Sequence, residues 1–421
     1  MNKDCKETFV IERLGNRGEG VARSGGRLVF IPYALAGESV RAEAQGDHAR
    51  LIEVLTPSPD RVAPICPHYG VCGGCAVQAL DEGAYSEWKR GLVVAALHNA
   101  GIEADVAPLV DAHGAGRRRV TFHARGTSVG FMRARSHDII EIEACPLLER
   151  DLQAALPAAR ALAKALASAD KPLDISATLT LEGLDIDIRG HGPLSESESK
   201  GLISIAAGHD LARLANHGRV VALRRKPHIA VGDALVSPPA GSFLQATAQG
   251  EAEIARFVLD AATGAKRVAD LFCGVGAFAL RLAAHCRVSA YDNDAHAIAA
   301  LLEAVGTTAG LRLTVAEARD LFRKPLMAGE LSDFDSVVFD PPRAGAEAQA
   351  EQLSKSDVHR IIAVSCNAQS FARDAKILIS GGYALGPVIP IDQFRFSPHV
   401  ELVGVFSRDA PKARKRKLLS R

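Results

Sequence analysis

The sequence predicts a multidomain α/β protein: a small N-terminal β-barrel, a central α+β region and a C-terminal Rossmann-like domain, followed by a short basic tail. Three observations carry this reading. Short β-type runs broken by glycines fill residues 1–58, and a cysteine cluster opens residues 59–234. From residue 235 to 410, helix-like and strand-like runs alternate. That rhythm belongs to a mostly parallel sheet with helices on both faces. The chain has 421 residues, a length for two or three domains. With 48% hydrophobic and 24% charged residues it reads as folded rather than disordered.

In the first region, runs at 8–14, 20–22, 27–32, 39–44 and 49–55 alternate apolar and polar residues and read as barrel strands. Ser24-Gly25-Gly26 between two of them reads as a hairpin turn. Thr56-Pro57-Ser58-Pro59-Asp60 reads as a stiff linker. In the second region, strand-like alternation at 120–124 and 179–189 flanks an alanine-rich helical stretch at 151–169. In the third, helices are expected at 251–262, 278–285 and 295–305, and strands at 267–271, 287–291, 336–339 and 360–364. The tail, 411–421, carries six Lys/Arg and no acid, as a solvated tail or an RNA contact would.

Charge and cysteine usage narrow the function classes. Lys+Arg 50 against Asp+Glu 49 leaves a net charge of +1, so any nucleic-acid site must be a local patch. Arg117-Arg118-Arg119, with Arg125, Arg133 and Arg135, forms one basic stretch, either a solvated face or a phosphate track. No apolar run approaches the roughly 20 residues of a membrane span. No apolar core follows Met1-Asn2-Lys3-Asp4-Cys5, so a cytoplasmic location and no membrane partner are expected. The eight cysteines are then more naturally ligands, nucleophiles or buried thiols than disulfides.

Asp270-Leu271-Phe272-Cys273-Gly274-Val275-Gly276-Ala277-Phe278 follows an expected strand and opens a helix. Gly274 and Gly276 would let the backbone turn tightly and approach a ligand. Asp292, at the end of the next strand, can accept hydrogen bonds from ribose hydroxyls. Loop and acid together indicate an adenosine cofactor, NAD or S-adenosylmethionine. Asp340-Pro341-Pro342-Arg343, at the end of another strand, favours the second. Two prolines make a rigid lip at the ligand-binding edge of the sheet, and an acid before Pro-Pro is a feature of methyltransferases acting on bases.

Ser365-Cys366-Asn367 places a cysteine just after a further strand, on the same sheet edge. Uracil C5 is a poor nucleophile. A thiolate added at C6 makes C5 enolate-like and able to attack a methyl donor. A base must then remove the C5 proton before the cysteine leaves. Cys366 supplies the thiol, and Glu401, in Pro398-His399-Val400-Glu401-Leu402, is a candidate base.

Cys66, Cys72 and Cys75 group closely, with Cys145 far downstream. Four thiolates suit tetrahedral zinc or an iron–sulfur cluster. The three-plus-one grouping favours iron–sulfur over the two close pairs of a zinc ribbon. The Cys-x3-Cys-x2-Cys spacing of radical enzymes is absent.

These motifs, with Phe243-Leu244-Gln245, Phe371-Ala372-Arg373-Asp374 and His399-Val400-Glu401, resemble the RNA (uracil-5-)-methyltransferase family along nearly the whole chain. The resemblance implies Cys366 as nucleophile and Glu401 as base. It implies Gln245, Phe272, Gly274, Gly276, Asp292, Asp320 and Asp340 as methyl-donor contacts. It implies a class I methyltransferase domain, a TRAM-like, OB-like N-terminal barrel, and a structural 4Fe–4S cluster on Cys66, Cys72, Cys75 and Cys145. Barrel and cluster together favour 23S rRNA over tRNA as substrate, and a monomer is the default state. The competing readings are the same chemistry on a tRNA uridine, an amino-directed base methyltransferase that would not need Cys366, and a non-catalytic iron–sulfur RNA-binding protein.

Overall fold

The computed structural model describes residues 6–169 and 171–408, so the basic tail at 411–421 lies outside the described residues. The N-terminal sheet holds β1 (Lys6–Val10), β2 (Arg13–Leu14), β3 (Gly20–Ser24), β4 (Arg27–Ile31), β5 (Ser39–Gln45) and β6 (His48–Thr56) in the order β1-β5-β6-β4-β3-β2. Alternate residues turn inward, so Phe9, Val29, Ile31, Val40 and Ala42 form one core. β3 and β4 close at Ser24↔Arg27 over Gly25 and Gly26, with φ of 56° and 81°. Two positive φ values match the twist of a two-residue hairpin. The run expected at 8–14 is two strands, because Ile11 leaves the ladder to bond Glu38 and Gly37. The expected linker is pinned. Buried Glu38 pairs with Arg61 and accepts from the Leu35 and Ser58 backbone N–H groups.

A helix not read from the sequence, α1 (Glu82–Asn99), follows and is N-capped by Asp81. After the short β7 (Val110–Asp111) come β8 (Arg119–Arg125), β9 (Ser128–Met132), β10 (Ile139–Glu141), α2 (Ala155–Leu166), β11 (Leu173–Thr180), β12 (Gly183–Arg189), α3 (Glu196–Gly208), β13 (Arg213–Asn216) and β14 (Arg219–Leu223). Except for β7, the strands form a seven-stranded sheet, β10-β9-β8-β11-β12-β13-β14, whose core includes α2 residues and Leu202 and Ala206 of α3. The single strand expected at 179–189 is the end of β11, a tight turn at Leu181-Glu182, and β12. Only Gly183, at φ 120°, marks that turn.

The last region holds the hairpin β15 (Ile229–Val231) and β16 (Ala234–Val236), then α4 (Ala248–Ala261), β17 (Arg267–Leu271), α5 (Ala279–Ala283), β18 (Arg287–Asp292), α6 (Ala295–Thr307), β19 (Leu313–Ala318), α7 (Ala328–Leu331), β20 (Ser336–Phe339), α8 (Glu347–Ser354), β21 (Arg360–Ser365), α9 (Ala368–Ser380), β22 (Ala384–Leu385), β23 (Ile389–Asp392) and β24 (Glu401–Ser407). The main sheet runs β19-β18-β17-β20-β21-β24-β23-β7. β17 to β21 are parallel; β17, β18, β20 and β21 are buried on both faces while the edge strand β19 is largely exposed, and β24 enters antiparallel between β21 and β23. β7 pairs with β23, and α1 places Val93 and Leu97 in the cluster that holds Phe371 and Phe406. By packing, then, 82–111 joins the last sheet although it precedes residue 235 in the chain. Neighbours β17 and β20 send the chain in opposite directions. Their carboxyl ends form the crevice where open α/β sheets bind ligands.

Candidate active site

The glycine loop leaves β17 at that crevice. Phe272 is held at φ 65°, a conformation a bulky residue adopts only when its surroundings impose it. Here Tyr291 O accepts from the N–H groups of both Phe272 and Cys273. The twist sets the Phe272 ring between Phe322 and Phe339, with centroids 5.4 and 6.1 Å away. Gly274 and Gly276 have φ of 53° and 95°, and a Cβ on Gly276 would stand 2.5 Å from Leu301. Asp292 accepts from the Gly274 N–H at 2.8 Å and so ties the loop to the end of β18. Asp320 sits past the end of β19, capping its own turn through the Phe322 and Arg323 N–H groups.

Register brings the other motifs to the same edge. Leu271 pairs with Phe339 and Phe339 with Ala363, so Asp340 follows directly beside the loop. Desolvation, then the Asp292 charge, pushes the Asp340 carboxyl up to about 7. Ser365 pairs with Leu402, so one further step sets Cys366 opposite Glu401. Cys366 is half-buried. Burial, then the Glu401 and Asp340 charges, raises its thiol to about 11, while Arg343 acts to lower it. Glu401 is 2% exposed, and burial, then the Asp340 charge, pushes it up to about 8.

Three networks absent from the sequence reading hold these groups. Gln393, fully buried, donates from Nε2 to Glu401 at 2.9 Å and to the Gln245 side-chain oxygen. Lys89 of α1, also fully buried, donates to Asp392, to Phe394 O at 3.1 Å and to His399 O at 2.7 Å, stapling the loop before Glu401. Tyr85 donates to the other Asp392 oxygen. Glu251 binds both Arg118 and Arg281; Arg118 donates to Gln245 O and Arg281 to Ala277 O. Arg118 is therefore a buried structural cation, not part of a phosphate track. Of the basic stretch, Arg125, Arg133 and Arg135 are exposed, with Arg135 bonded to Glu19.

The four cysteines line a separate cavity of about 1140 Å³, with Tyr33, Arg117 and Arg133 also on its wall. Phe243 and Phe394 also line it. Burial, followed by the charges of Cys145, Cys72 and Cys66, pushes Cys75 up to about 12. Among the described residues, no group of three or more His, Cys, Asp or Glu side chains converges on a single metal-ion position. No described helix is long and apolar enough to cross a membrane.

A family model described as tRNA (Uracil-5-)-methyltransferase matches residues 229–409. An RNA methyltransferase of Brucella suis biovar 1 is 44% identical over 404 residues, 95% of this chain and 97% of its own. The 23S rRNA (uracil(1939)-C(5))-methyltransferase of Chromohalobacter salexigens is 33% identical over 430 residues, 96% of this chain and 90% of its own. The chain belongs to the RNA (uracil-5-)-methyltransferase family. Its fold matches that of Pyrococcus abyssi tRNA (uracil-54, C5)-methyltransferase, solved with S-adenosyl-L-homocysteine, at a TM-score of 0.72 and 23% identity over 95% of this chain and 99% of that one. For an RNA (uracil-5-)-methyltransferase, the cofactor is S-adenosylmethionine and the partner is RNA. The sheet order is that of a Rossmann-like methyltransferase.

Proposed function

We propose that this enzyme methylates C5 of a uridine in 23S rRNA, with Cys366 as nucleophile and Glu401 as the base that takes the C5 proton. The observation that carries the reading is the register setting Cys366 opposite a buried Glu401 at the edge that holds the glycine loop and Asp340. S-adenosylmethionine, when bound, supplies an electrophilic methyl group. Gly274, Gly276, Phe272, Asp292, Gln245 and Asp340 line its place, with Asp320 farther along the edge. The target uridine leaves its stack to enter the crevice. Cys366 Sγ, as the thiolate, bonds to C6, which makes C5 the nucleophile for the methyl group; the methyl–sulfur bond of the donor breaks and S-adenosyl-L-homocysteine leaves. Glu401 then removes the C5 proton, the C5–C6 double bond re-forms and the Cys366–C6 bond breaks. An exposed Phe243 beside Arg119, at 5.3 Å from the ring, offers the base a stacking surface where the crevice opens.

The rRNA choice rests on the 33% identical rRNA relative and on the N-terminal sheet and cysteine loop. That sheet is read as a TRAM-like barrel. Cys66, Cys72, Cys75 and Cys145 are the residues that would hold a 4Fe–4S cluster. What supports the donor set is that all four cysteines line one cavity, and that burial raises the Cys72, Cys75 and Cys145 thiols, a cost of ionisation that a bound metal group would offset. The group would act as a structural clamp. No step of methyl transfer needs an electron.

RNA carrying 5-fluorouridine tests the nucleophile. Fluorine cannot leave C5 as a proton, so the enzyme is expected to stall as a covalent adduct that survives denaturing gels. Cys366→Ala is expected to form none. An undiminished adduct from Cys366→Ala overturns the assignment.

A further inference from the structure

Gln393 lies in the Asp392–Phe396 stretch, against the side chains of Gln245 and Glu401, and its amide is committed at both ends. The Thr247 backbone N–H donates to Gln393 Oε1 at 3.3 Å. A backbone N–H is only a donor, so this contact fixes which end of the Gln393 amide is oxygen. Nε2 must then point the other way, where it donates to Glu401 Oε1 at 2.9 Å and to Gln245 Oε1. The consequence passes along the chain of contacts. With the Gln245 carbonyl turned inward to Gln393, the Gln245 amide nitrogen is the end left for the crevice. Gln245 is anchored independently, since Arg118 donates to its backbone oxygen at 3.1 Å. Gln393 is completely buried, and its amide is held by hydrogen bonds at both ends.

We infer that Gln393 is a positioning residue that sets two groups at once: it orients Gln245 to present N–H donors to an oxygen acceptor of the bound ligands, and it holds Glu401 in place for proton removal. The inference rests on the reading of Glu401 as base. The shared chemistry is an oxygen acceptor, either the carboxylate of the methyl donor or a carbonyl of the pyrimidine. The side-chain oxygen of Gln245 is engaged already, so a donor-bearing ligand group is not selected at this position.

The test uses the full-length enzyme with labelled S-adenosylmethionine and RNA. Gln393→Met keeps size and burial while removing every hydrogen bond. Gln393→Glu keeps the shape and the bond from Thr247, but turns an oxygen toward Gln245 and Glu401. Gln245 must then flip to donate inward, and its carbonyl faces the crevice. For both variants, KM for one ligand is expected to rise about tenfold, the scale of one lost hydrogen bond to a charged or polar acceptor. A rise confined to S-adenosylmethionine identifies the donor carboxylate as the acceptor, and a rise confined to RNA identifies the pyrimidine carbonyl. The limb of the kcat–pH profile set by Glu401 is expected to move to higher pH in Gln393→Glu, where a second negative charge faces the base. Both KM values, kcat and the pH profile staying within twofold of wild type in both variants overturns the inference. Glu401→Gln is run in parallel. Full turnover there refutes the base reading alone, because the effect on KM is read independently of proton removal. A role confined to folding would lower the melting temperature without separating KM from kcat.

Discussion

Two carboxyl groups at the sheet edge sit far above their ordinary range, Asp340 at about 7 and Glu401 at about 8, and both shifts come mainly from burial. Glu401 can accept a proton only when ionised, so release of methylated product is expected to slow as pH falls below about 8. Rapid-quench measurement of adduct decay between pH 6 and 9 checks this; a flat profile counts against Glu401 as base. Stability should run the opposite way. Between the ordinary carboxylate range and about 8 the native state binds protons that the unfolded chain does not, so the protein loses stability as pH rises through that window. Glu401→Gln removes part of that cost and is expected to melt higher than wild type at pH 8.5, with a smaller gain at pH 6. At this scale the sequence was informative where a residue sits in a dense motif. Cys366 and Asp340 follow their strands directly, and Glu401 follows His399-Val400. Gln393 and Lys89 carry no such mark, because their roles exist only through partners brought close by folding: Gln245 is 148 positions from Gln393, and Asp392 is 303 from Lys89.

Elements with a strong period were legible. β17 and β20 were expected within their observed bounds, since short apolar runs closed by turn residues have few alternatives in a βα rhythm. Helix α1 escaped notice because its apolar residues are diluted: Trp88 turns to the N-terminal sheet, donating to Gly15 O, while Lys89 turns inward. That helix nevertheless holds the loop before Glu401. Lys89→Met would leave Asp392 buried with Tyr85 as its remaining side-chain donor. It is expected to cost roughly 3–5 kcal/mol, the usual penalty for breaking a buried ion pair from one side. Urea unfolding measures it, and a loss below about 1 kcal/mol would show that the staple is not needed. Gly276→Ala tests the loop that the sequence did mark. Its Cβ would meet Leu301 at 2.5 Å in a conformation unsuited to an L side chain, so affinity for S-adenosylmethionine is expected to fall at least about tenfold by titration calorimetry.

Across the whole molecule, three sheets meet at one loop. Ala76 and Val77, just after Cys75, donate backbone hydrogen bonds to Phe396 O, and Tyr69 holds Ala76 O. The cysteine loop is thereby joined to the loop that Lys89 staples in front of Glu401. Packing of 82–111 against the last sheet completes this join, which a linear division of the chain could not reveal. A cluster bound by the four cysteines would stiffen the same loop. The anaerobically purified protein is expected to be brown, with about four irons per chain, and Cys75→Ser is expected to lose both colour and most of its kcat. Colourless protein with stoichiometric zinc would refute the cluster. The central claim, that this enzyme places a methyl group on uracil C5 of rRNA, is tested most directly by methyl transfer itself. Labelled S-adenosylmethionine is supplied with separate unmodified rRNA and tRNA pools, and nucleosides are resolved by mass. The expected result is label in 5-methyluridine from rRNA; label from tRNA alone would contradict the substrate, and no labelled uridine from either pool would contradict the reaction.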